Sequence, residues 1–394
     1  NIPMGLLPYK NGVICFSIPN IWFLSDTDND GKADKREILY GPFDTTRDTH
    51  GMINALRWGG DGWVYACHGF NNQSEVTGLD GHTVKMSSGN TFRFRPDGSR
   101  IEVVTHGQVN PFGMTEDDWG FRYSADCHSK PITQLIRDAC YPSFGRPHDG
   151  LGFLPPMVDH LHGSTAISGI LHVSQESAIL PLRGQMISGN VMTSRLNRNR
   201  VTFNGATAAG AELPDFLTSD DPWFRPVDIQ LGPDGHIYVA DFYNKIIGHY
   251  EVPLDHPGRD RTSGRLWQIR YLGSSGGANN ERPPNRPASL VDSLRSNNPT
   301  VRRLATQAAL DDADIAPLMT DPDESSHSRV AAMQALWCAG RLDDSQLARA
   351  AGDANAHVRV AALRLAGELD AIPLPIHAAA SQALRSSDAR VVQA

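Results

Sequence analysis

The chain has 394 residues, of which 40% are hydrophobic, with 36 glycines, 26 prolines and a formal net charge of −8. This length allows about two or three domains, and the composition is typical of a turn-rich globular protein that is mainly β in its first part. No basic stripe stands out and no apolar run approaches the ~18 residues of a membrane span, so neither a nucleic-acid partner nor a membrane span is expected in this chain.

Residues 1–272 are predicted to form strands joined by turns. The first three strands are Val13–Ser17, Ile21–Leu24 and Glu37–Tyr40. Three later stretches repeat one pattern, in which an apolar run meets an acidic Gly turn and continues as an alternating strand that ends in Tyr. These stretches are Trp58–Tyr65, Glu116–Tyr123 and Leu231–Tyr238.

The spacing of the three turns predicts a β-propeller. Gly62 and Gly120 lie 58 residues apart, and Gly235 follows after another 115, about twice that interval. One further repeat with a degenerate turn is therefore expected between Gly120 and Gly235, and such a period with several short strands is typical of propeller blades. Because a closed ring removes exposed sheet edges, we expect a six-bladed propeller whose N-terminal part lies upstream of this sequence.

An acidic loop between the second and third predicted strands matches the pattern of a calcium-binding loop, with Gly31 at its sixth position. Closely spaced carboxylates repel one another without a cation, although a solvated acidic hairpin is the alternative interpretation. We expect a structural calcium site, since the loop lies at a blade edge. Its expected ligands are Asp26, Asp28, Asp30, the carbonyl of Lys32, Asp34 and Glu37, the last at the start of a strand and at the limit of reach.

The candidate catalytic and binding residues precede the predicted inner strands, since the substrate site of a propeller lies on its axis where those strands begin. They are His50, His106, Asn110, His162 and Arg225. Imidazoles and a guanidinium around one opening suit proton abstraction from an alcohol or hydrate and the anchoring of an anionic cofactor. Each histidine taken alone is more typical of a surface or packing residue.

Two further candidates follow the second strands of their blades. His68 follows one such strand, and Asp241 occupies the matching position in the last blade. Asp241 is expected either to orient a neighbouring base or, as its spacing to Asn244 favours, to cap its own turn.

Five cysteines are present without a Cys-x-x-Cys pair, so covalent haem attachment and a zinc ribbon are not expected in this chain. Cys127 and Cys140 close a short loop and form either a disulfide or two free thiols. Patterns of serine hydrolases, P-loop NTPases and zinc proteases are absent from the sequence.

The hydrophobic period changes to helical from about residue 288, after a linker at 273–287 rich in Gly, Pro and Asn. The segments 301–310, 328–336 and 358–366 look alike, and their arginines recur at similar intervals. Ala-rich helix pairs of this kind predict a HEAT-type α-solenoid over 288–394. The recurring arginines are Arg302, Arg329, Arg359 and Arg390, each expected to bond a neighbouring loop.

Several strings together resemble a bacterial family, the membrane-bound dehydrogenases of Planctomycetes and Verrucomicrobia. The strings are Asp26–Asp34, Asn54–Trp63, His106–Gly113, Asp221–Asp228, Gly232–Tyr243 and Gly264–Arg270. That family joins a propeller similar to sorbosone and soluble glucose dehydrogenases to HEAT repeats, and many members end in a c-type cytochrome domain that this chain lacks.

The resemblance implies a quinone-dependent sugar or polyol dehydrogenase in the periplasm or another extracytoplasmic location, with membrane association through segments outside this sequence. It implies pyrroloquinoline quinone and Ca²⁺ as cofactors and a c-type cytochrome as the electron acceptor. Carried over to this sequence, His50 or His106 is the candidate base and Arg225 the candidate cofactor anchor.

Two other functions are compatible with the same residues. The first is a non-catalytic module in which the propeller binds a glycan and the solenoid docks a protein partner on its concave face. The second is a propeller lyase or hydrolase that uses the same histidines.

Overall fold

The computed structural model describes residues 3–47, 52–143, 152–248, 252–253, 255–273, 289–307 and 315–394. Within these ranges, strands lie up to Ile269 and α-helices begin at Leu290. The expectation of a mostly-sheet part followed by a helical part is therefore confirmed. Apart from Gly273, the predicted linker 273–287 falls outside the described residues.

The strands form five consecutive antiparallel sheets and one hairpin. The first sheet contains β1 (Pro3–Tyr9), β2 (Gly12–Ser17), β3 (Asn20–Ser25) and β4 (Lys35–Tyr40). The second contains β5 (Asn54–Trp58), β6 (Val64–His68), β9 (Asn90–Phe94) and β10 (Ile101–His106), with the hairpin β7 (Gln73–Thr77) and β8 (Thr83–Ser87) inserted in it. The sequence reasoning did not predict β1, β7 or β8.

The remaining sheets follow in chain order. The third contains β11 (Pro111–Glu116), β12 (Arg122–Asp126) and β13 (Thr133–Leu135). The fourth contains β14 (Ile167–His172), β15 (Gln185–Asn190), β16 (Arg195–Asn204) and β17 (Thr207–Thr218), with a 3-10 turn at Leu180–Leu182. The fifth contains β18 (Pro226–Leu231), β19 (Ile237–Asp241) and β20 (Arg265–Ile269).

The first strand of each sheet packs beside the first strand of the next sheet. β1 lies against β5, β5 against β11, β11 against β14, and β14 against β18. These inner strands therefore stand side by side, while the other strands of each sheet follow in hydrogen-bonded order away from them. Consecutive antiparallel sheets arranged in this way are propeller-like.

Four inner strands each contain a bulge with left-handed backbone, and these bulges bring neighbouring inner strands close together. The bulges lie at Gly5, Ala55, Gly113 and Gly169, whose φ angles are 70°, 58°, 111° and 66°. A Cβ atom on Gly113 would lie 2.6 Å from the Cα of Gly169, and one on Gly169 would lie 2.7 Å from the Cα of Asp228. Only glycine fits at these two positions, so the sequence itself sets the distance between inner strands.

The helical part consists of short helices that pack in successive pairs. They are α1 (Leu290–Leu294), α2 (Pro299–Thr306), α3 (Ala316–Thr320), α4 (Ser326–Cys338), α5 (Asp344–Ala351), α6 (Ala356–Ala366), α7 (Leu374–Ala383) and α8 (Ala389–Gln393). Each of α1, α3 and α5 packs on the helix that follows it, and α2, α4, α6 and α8 also contact one another in a row. None of the described helices combines the length and apolarity that crossing a membrane would take.

Three of the recurring arginines bond backbone carbonyls that precede their helices, in a loop for Arg302 and Arg359 and at the end of α3 for Arg329. Arg302 Nη1 donates to the carbonyl of Ser296 at 2.5 Å, and Arg359 Nη1 donates to that of Asp353 at 2.7 Å. Arg329 Nε donates to the carbonyl of Met319 at 3.0 Å. The structural role expected for these residues is therefore confirmed for all three.

Each of the three repeated turns is closed by the same hydrogen bond, in which the tyrosine hydroxyl donates to the aspartate carboxylate. The distances are 2.6 Å for Tyr65 and Asp61, 3.0 Å for Tyr123 and Asp117, and 2.7 Å for Tyr238 and Asp234. The tyrosine at the end of each sequence pattern thus bonds the aspartate of the turn that precedes its strand.

These turns are also the places where the sheet part meets the row of helices. Backbone carbonyls of the turns accept hydrogen bonds from side chains of the helical part. Trp337 donates to Asp61 at 3.1 Å, Asn298 donates to Gly232 at 2.9 Å, and Arg364 donates to Gly120. The turn of the fourth sheet lacks the repeated pattern and uses Glu176, which bonds Arg302 at 2.8 Å and His327 at 2.9 Å. The repeated motif therefore serves as a docking site for the helices.

A buried ion-pair network ties the two parts together around Arg93. The side chain of Arg93 is 5% exposed and bonds Glu102 of its own sheet at 2.7 Å and Glu368, just after α6, at 2.6 Å. Trp63 Nε1 also donates to Glu368 at 2.9 Å, and the Arg93 guanidinium stacks 4.2 Å from the Trp63 ring centroid. One carboxylate of the helical part thus satisfies two donors of the second sheet.

We expect Glu368→Ala to lower the free energy of unfolding by about 3 kcal/mol, because it removes one partner of a buried ion pair. Glu75→Ala is the matched control, since Glu75 pairs with Lys85 at the surface and its loss should cost at most about 1 kcal/mol. Urea unfolding followed by circular dichroism measures both. Equal effects of the two substitutions would show that the Arg93 network does not hold the helices to the sheets.

Candidate functional site

The predicted site residues fall into separate groups around the starts of the inner strands. His50 lies outside the described residues. Gly69, the residue after His68, lies beside Asn110, whereas Arg225 and Asp241 lie together at the fifth sheet. His162 contacts the outer strands of the fourth sheet. No described contact joins these groups into the one cluster that the sequence suggested.

His68 ends β6, and its imidazole is 1% exposed with both ring nitrogens in hydrogen bonds. Nδ1 lies 2.8 Å from the carbonyl oxygen of Ser88 and Nε2 lies 2.8 Å from the hydroxyl of Ser74. Burial lowers the pKa of His68 to about 4, although the Ser88 carbonyl and the Asp44 carboxylate favour the charged form. The ring is therefore neutral at physiological pH and fixes a loop.

His106 ends β10, the outermost strand of the second sheet. Its backbone N–H donates to the carbonyl of Ala139 at 2.9 Å, and its carbonyl accepts from Tyr141 at 2.8 Å. Its side chain is half-buried. His106 thus lies where the chain leaves one sheet to begin the next inner strand, and it stays a candidate base.

His162 belongs to a chain of polar side chains over β16 and β17. Its Nδ1 lies 3.0 Å from Glu212 Oε1 and its Nε2 lies 2.7 Å from Asn199 Oδ1. Asn199 Nδ2 in turn lies 2.6 Å from Nε2 of His160. This arrangement links an exposed carboxylate to a buried imidazole, and it lies over the outer strands of the sheet.

Arg225 and Asp241 fix the loops around the start of β18. The guanidinium of Arg225 donates to the carbonyls of Asn244 at 2.9 Å, Val191 at 2.6 Å and Lys245 at 3.3 Å. Asp241 accepts the backbone N–H of Arg225 at 2.8 Å and the indole N–H of Trp267 at 3.0 Å. These contacts match the turn-capping alternative considered for Asp241.

Asp126 plays the same part in the third sheet, and the sequence reasoning missed it. Its carboxylate is 0% exposed and accepts the backbone N–H groups of Val109 and Asn110, each at 3.0 Å. The signal was available, because Asp126 ends a second strand as Asp241 does.

Asn110 is the unusual residue among the predicted ones. Its side chain is 0% exposed, and among the described residues neither its Oδ1 nor its Nδ2 has a hydrogen-bond partner. A Cβ atom on Gly69 would lie 2.6 Å from Asn110 Oδ1, so only a glycine allows the amide to pack this closely. A buried amide without partners costs about 1–3 kcal/mol for each unsatisfied group, and it marks a place where a polar ligand or water would bind.

The acidic loop has the geometry of a cation site. Carboxylate oxygens of Asp26, Asp28 and Asp30 lie within 4.8 Å of one another, and Asp26 Oδ1 is buried with no hydrogen-bond partner in the described ranges. Gly31 adopts φ 85° at the predicted sixth position, and its N–H donates to Asp26 Oδ2 at 2.8 Å. These residues fit Ca²⁺, which takes hard oxygen ligands.

Two predicted ligands face other partners in this loop. Asp34 accepts hydrogen bonds from Thr27, which lower the pKa of its carboxyl. Glu37 lies within β4 and pairs with Lys35. The described contacts therefore bring together three of the predicted side-chain ligands.

All five cysteines are free thiols, so the open alternative of a Cys127–Cys140 disulfide is not realised. Burial raises the pKa of both Cys67 and Cys127.

A second candidate site lies at the opposite ends of the inner strands. A cavity of about 530 Å³ is bounded there by the C-terminal residues of β5, β11, β14 and β18 and by α2, α4 and α6. Sequence reasoning did not predict this cavity, because its walls come from segments far apart in the chain.

A family described as "Domain of unknown function (DUF7133)" has a sequence model that matches residues 1–273. None of the curated proteins compared with the chain matches it.

Solved structures similar to the sheet part include a glucose dehydrogenase-type oxidoreductase of Thermus thermophilus. It is 16% identical, with a TM-score of 0.40, over 68% of this chain and 96% of that chain. The soluble aldose sugar dehydrogenase of Escherichia coli is 14% identical, with a TM-score of 0.33, over 68% of this chain and 95% of that chain. Virginiamycin B lyase of Staphylococcus aureus is 16% identical, with a TM-score of 0.34, over 69% of this chain and 71% of that chain. The propeller-like arrangement of the sheets is inferred from the strand pairing of this chain itself.

We expect removal of Ca²⁺ by a chelator to lower the melting temperature, because the clustered carboxylates of the acidic loop then repel one another. Asp28→Ala should lower it equally and abolish the response to the chelator. Asp97→Ala is the control, since Asp97 also caps an exposed turn but lies outside the cluster. Unchanged melting of the wild type with chelator would refute the calcium site.

The free energy of unfolding should fall as the pH decreases from 6.5 to 4. The imidazole of His68 titrates near 6.5 in the unfolded chain and near 4 in the folded one, so the unfolded state binds more protons within this window. His68→Gln should flatten this part of the pH profile by up to about 3 kcal/mol, and exposed His377→Gln should not. Parallel profiles for wild type and His68→Gln, measured by urea unfolding, would contradict the burial argument.

Proposed function

The chain belongs to the DUF7133 family, and we propose that its sheet part binds a sugar or polyol at the starts of the inner strands, as the substrate-binding domain of an extracytoplasmic dehydrogenase-like protein. The observation that carries this proposal is the buried amide of Asn110 beside Gly69, which has no partner among the described residues. A primary amide donates and accepts, so it matches the hydroxyl groups of a neutral carbohydrate.

The resemblance to sugar dehydrogenases supports the chemical part of the proposal. In this proposal the sheets form a six-bladed propeller and the helices a HEAT-type solenoid. His106, or His50 outside the described residues, is the candidate base for the hydroxyl proton. A bound quinone-type cofactor would supply the hydride acceptor, and a c-type cytochrome would be the final electron acceptor. The calcium loop stabilises the first sheet, away from the substrate.

Pyrroloquinoline quinone fits the described residues less well than a neutral sugar does. The quinone carries three carboxylates and calls for several cations, whereas the guanidinium of Arg225 already bonds three carbonyl oxygens. Quinone is therefore an added component of the turnover experiment.

A second candidate function is glycan binding without chemistry. It is favoured by the hydrogen bonds that occupy both ring nitrogens of His68 and of His162, because such rings orient loops and are poorly placed to accept a substrate proton. The lyase or hydrolase alternative meets the same objection.

We expect Asn110→Leu to abolish sugar binding and, in the absence of ligand, to raise the free energy of unfolding by about 1 kcal/mol, because it removes unsatisfied polar groups. Asn54→Leu is the matched control. Asn54 is equally buried, but its amide bonds Met52, Pro111 and Gly113, so its loss should destabilise the protein. Calorimetric titration with a panel of sugars and polyols, together with urea unfolding, measures both effects. Destabilisation by Asn110→Leu comparable to that of Asn54→Leu would show that the amide is structural.

Dye reduction by the full-length protein separates the two candidate functions. Turnover of a bound sugar that requires added quinone and is lost in His106→Ala or His50→Ala supports the dehydrogenase. Sugar binding that depends on Asn110, without dye or cytochrome c reduction under any of these conditions, supports glycan binding alone.

A further inference from the structure

The cavity between the sheets and the helices lies at the end of the inner strands opposite to the proposed sugar site. It is bounded by Arg57 at the end of β5, Thr115 near the end of β11, Gln230 near the end of β18, and Arg303 on α2. Its volume of about 530 Å³ falls within the usual range of small-molecule pockets. Both the sheet part and the helical part are needed to form it.

Most arginines around this cavity are paired with carboxylates. Arg57 Nη2 lies 2.7 Å from Asp228, and Arg122 Nε lies 2.8 Å from Glu116. Arg302, which follows the same pattern, lies 2.8 Å from Glu176. These pairs neutralise much of the positive charge of the walls.

Arg303 and Arg364 are the exceptions, and Arg303 has the fewer contacts of the two. Arg303 lies on α2, and within the described part of the chain its guanidinium has no hydrogen bond and no ion pair, although it lines the cavity. Burial, followed by repulsion from Arg57, lowers its pKa, and only the field of Glu116 opposes them. Arg364 on α6 also lacks a carboxylate partner among the residues that the structure describes, and it donates to the carbonyl of Gly120.

The carboxylates that line the cavity are engaged elsewhere. Glu116 is bonded to Arg122, and Asp118 accepts the backbone N–H of Gln175 at 2.8 Å. Asp117 accepts two backbone N–H groups and a tyrosine hydroxyl in its turn. Burial raises the pKa of both Glu116 and Asp117.

We propose that this cavity binds a small oxyanion, a phosphate or a small di- or tricarboxylate, at the guanidinium of Arg303 on α2. The nitrogens of nearby Arg57 bond Met114, Leu56 and Asp228, so Arg303 is the residue that would hold the anion. Arg303 is half-buried, lines the cavity and has no counter-anion among the described residues, so an oxyanion in the cavity would accept charge-assisted hydrogen bonds from its guanidinium. The ligand joins the helical part to the sheet part, so its binding stabilises their association. The site is independent of the proposed sugar site.

The test is calorimetric titration of the whole chain at low ionic strength with inorganic phosphate and, separately, with citrate. We expect at least one of them to bind, and Arg303→Gln to weaken that binding by at least about tenfold. Arg349→Gln is the matched control, since Arg349 is an exposed arginine on α5 and should leave binding unchanged. Preference for phosphate or for citrate identifies which oxyanion the cavity selects.

Melting curves and the variant Arg303→Lys distinguish loss of anion binding from loss of folding. Without ligand, Arg303→Gln should melt at the wild-type temperature or above, because it removes an uncompensated charge. Arg303→Lys, which keeps the charge but loses the planar fork, should retain part of the affinity. Absence of binding by both anions to the wild type, or equal affinity of wild type and Arg303→Gln, would overturn the proposal.

Discussion

The contact between Arg93 and Glu368 is the interaction on which the rest of the molecule depends. Arg93 lies on a strand of the second sheet and Glu368 lies just after α6, and the pair is buried with Trp63 as a third member. Glu368 adds a second anionic partner for Arg93 beside Glu102 and accepts the indole N–H of Trp63, so these buried donors are fully satisfied only with the helices in place. The position of the helix row, and with it the cavity beneath the inner strands, follows from this requirement.

Sequence reasoning predicted most of the fold for a physical reason. The acidic Gly turns and the alternating strands after them are local signals, and the hydrogen bond between Tyr65 and Asp61 shows why they recur. The change to a helical period was equally local, and Asn298, Ser325 and Asn355 cap their helices as such residues usually do. The strand β1 was not predicted, since Leu6 and Gly5 interrupt a simple alternation with a bulge.

The candidate site was less predictable because position in sequence does not tell which partners a side chain finds. His68 and Arg225 occupy the places that the propeller pattern assigns to functional groups, yet each is engaged by carbonyl oxygens of its own loops. Asn110 was singled out on the same positional argument, and it differs in that its amide has no partner within the described ranges. The cavity around Arg303 required the docking of distant segments, which no local pattern encodes.

The long sequence separation of the docking contacts has a consequence for biosynthesis. Arg93 and Glu368 are 275 residues apart in the chain, so a ribosome finishes all five sheets well before the carboxylate that completes them is made. During that interval the nascent sheets expose the turns that receive the helices, and Arg93 has Glu102 but not Glu368 as an ion-pair partner. Contacts between distant segments form slowly, so the faces of the sheets that receive the helices stay uncovered until the helices have been synthesised.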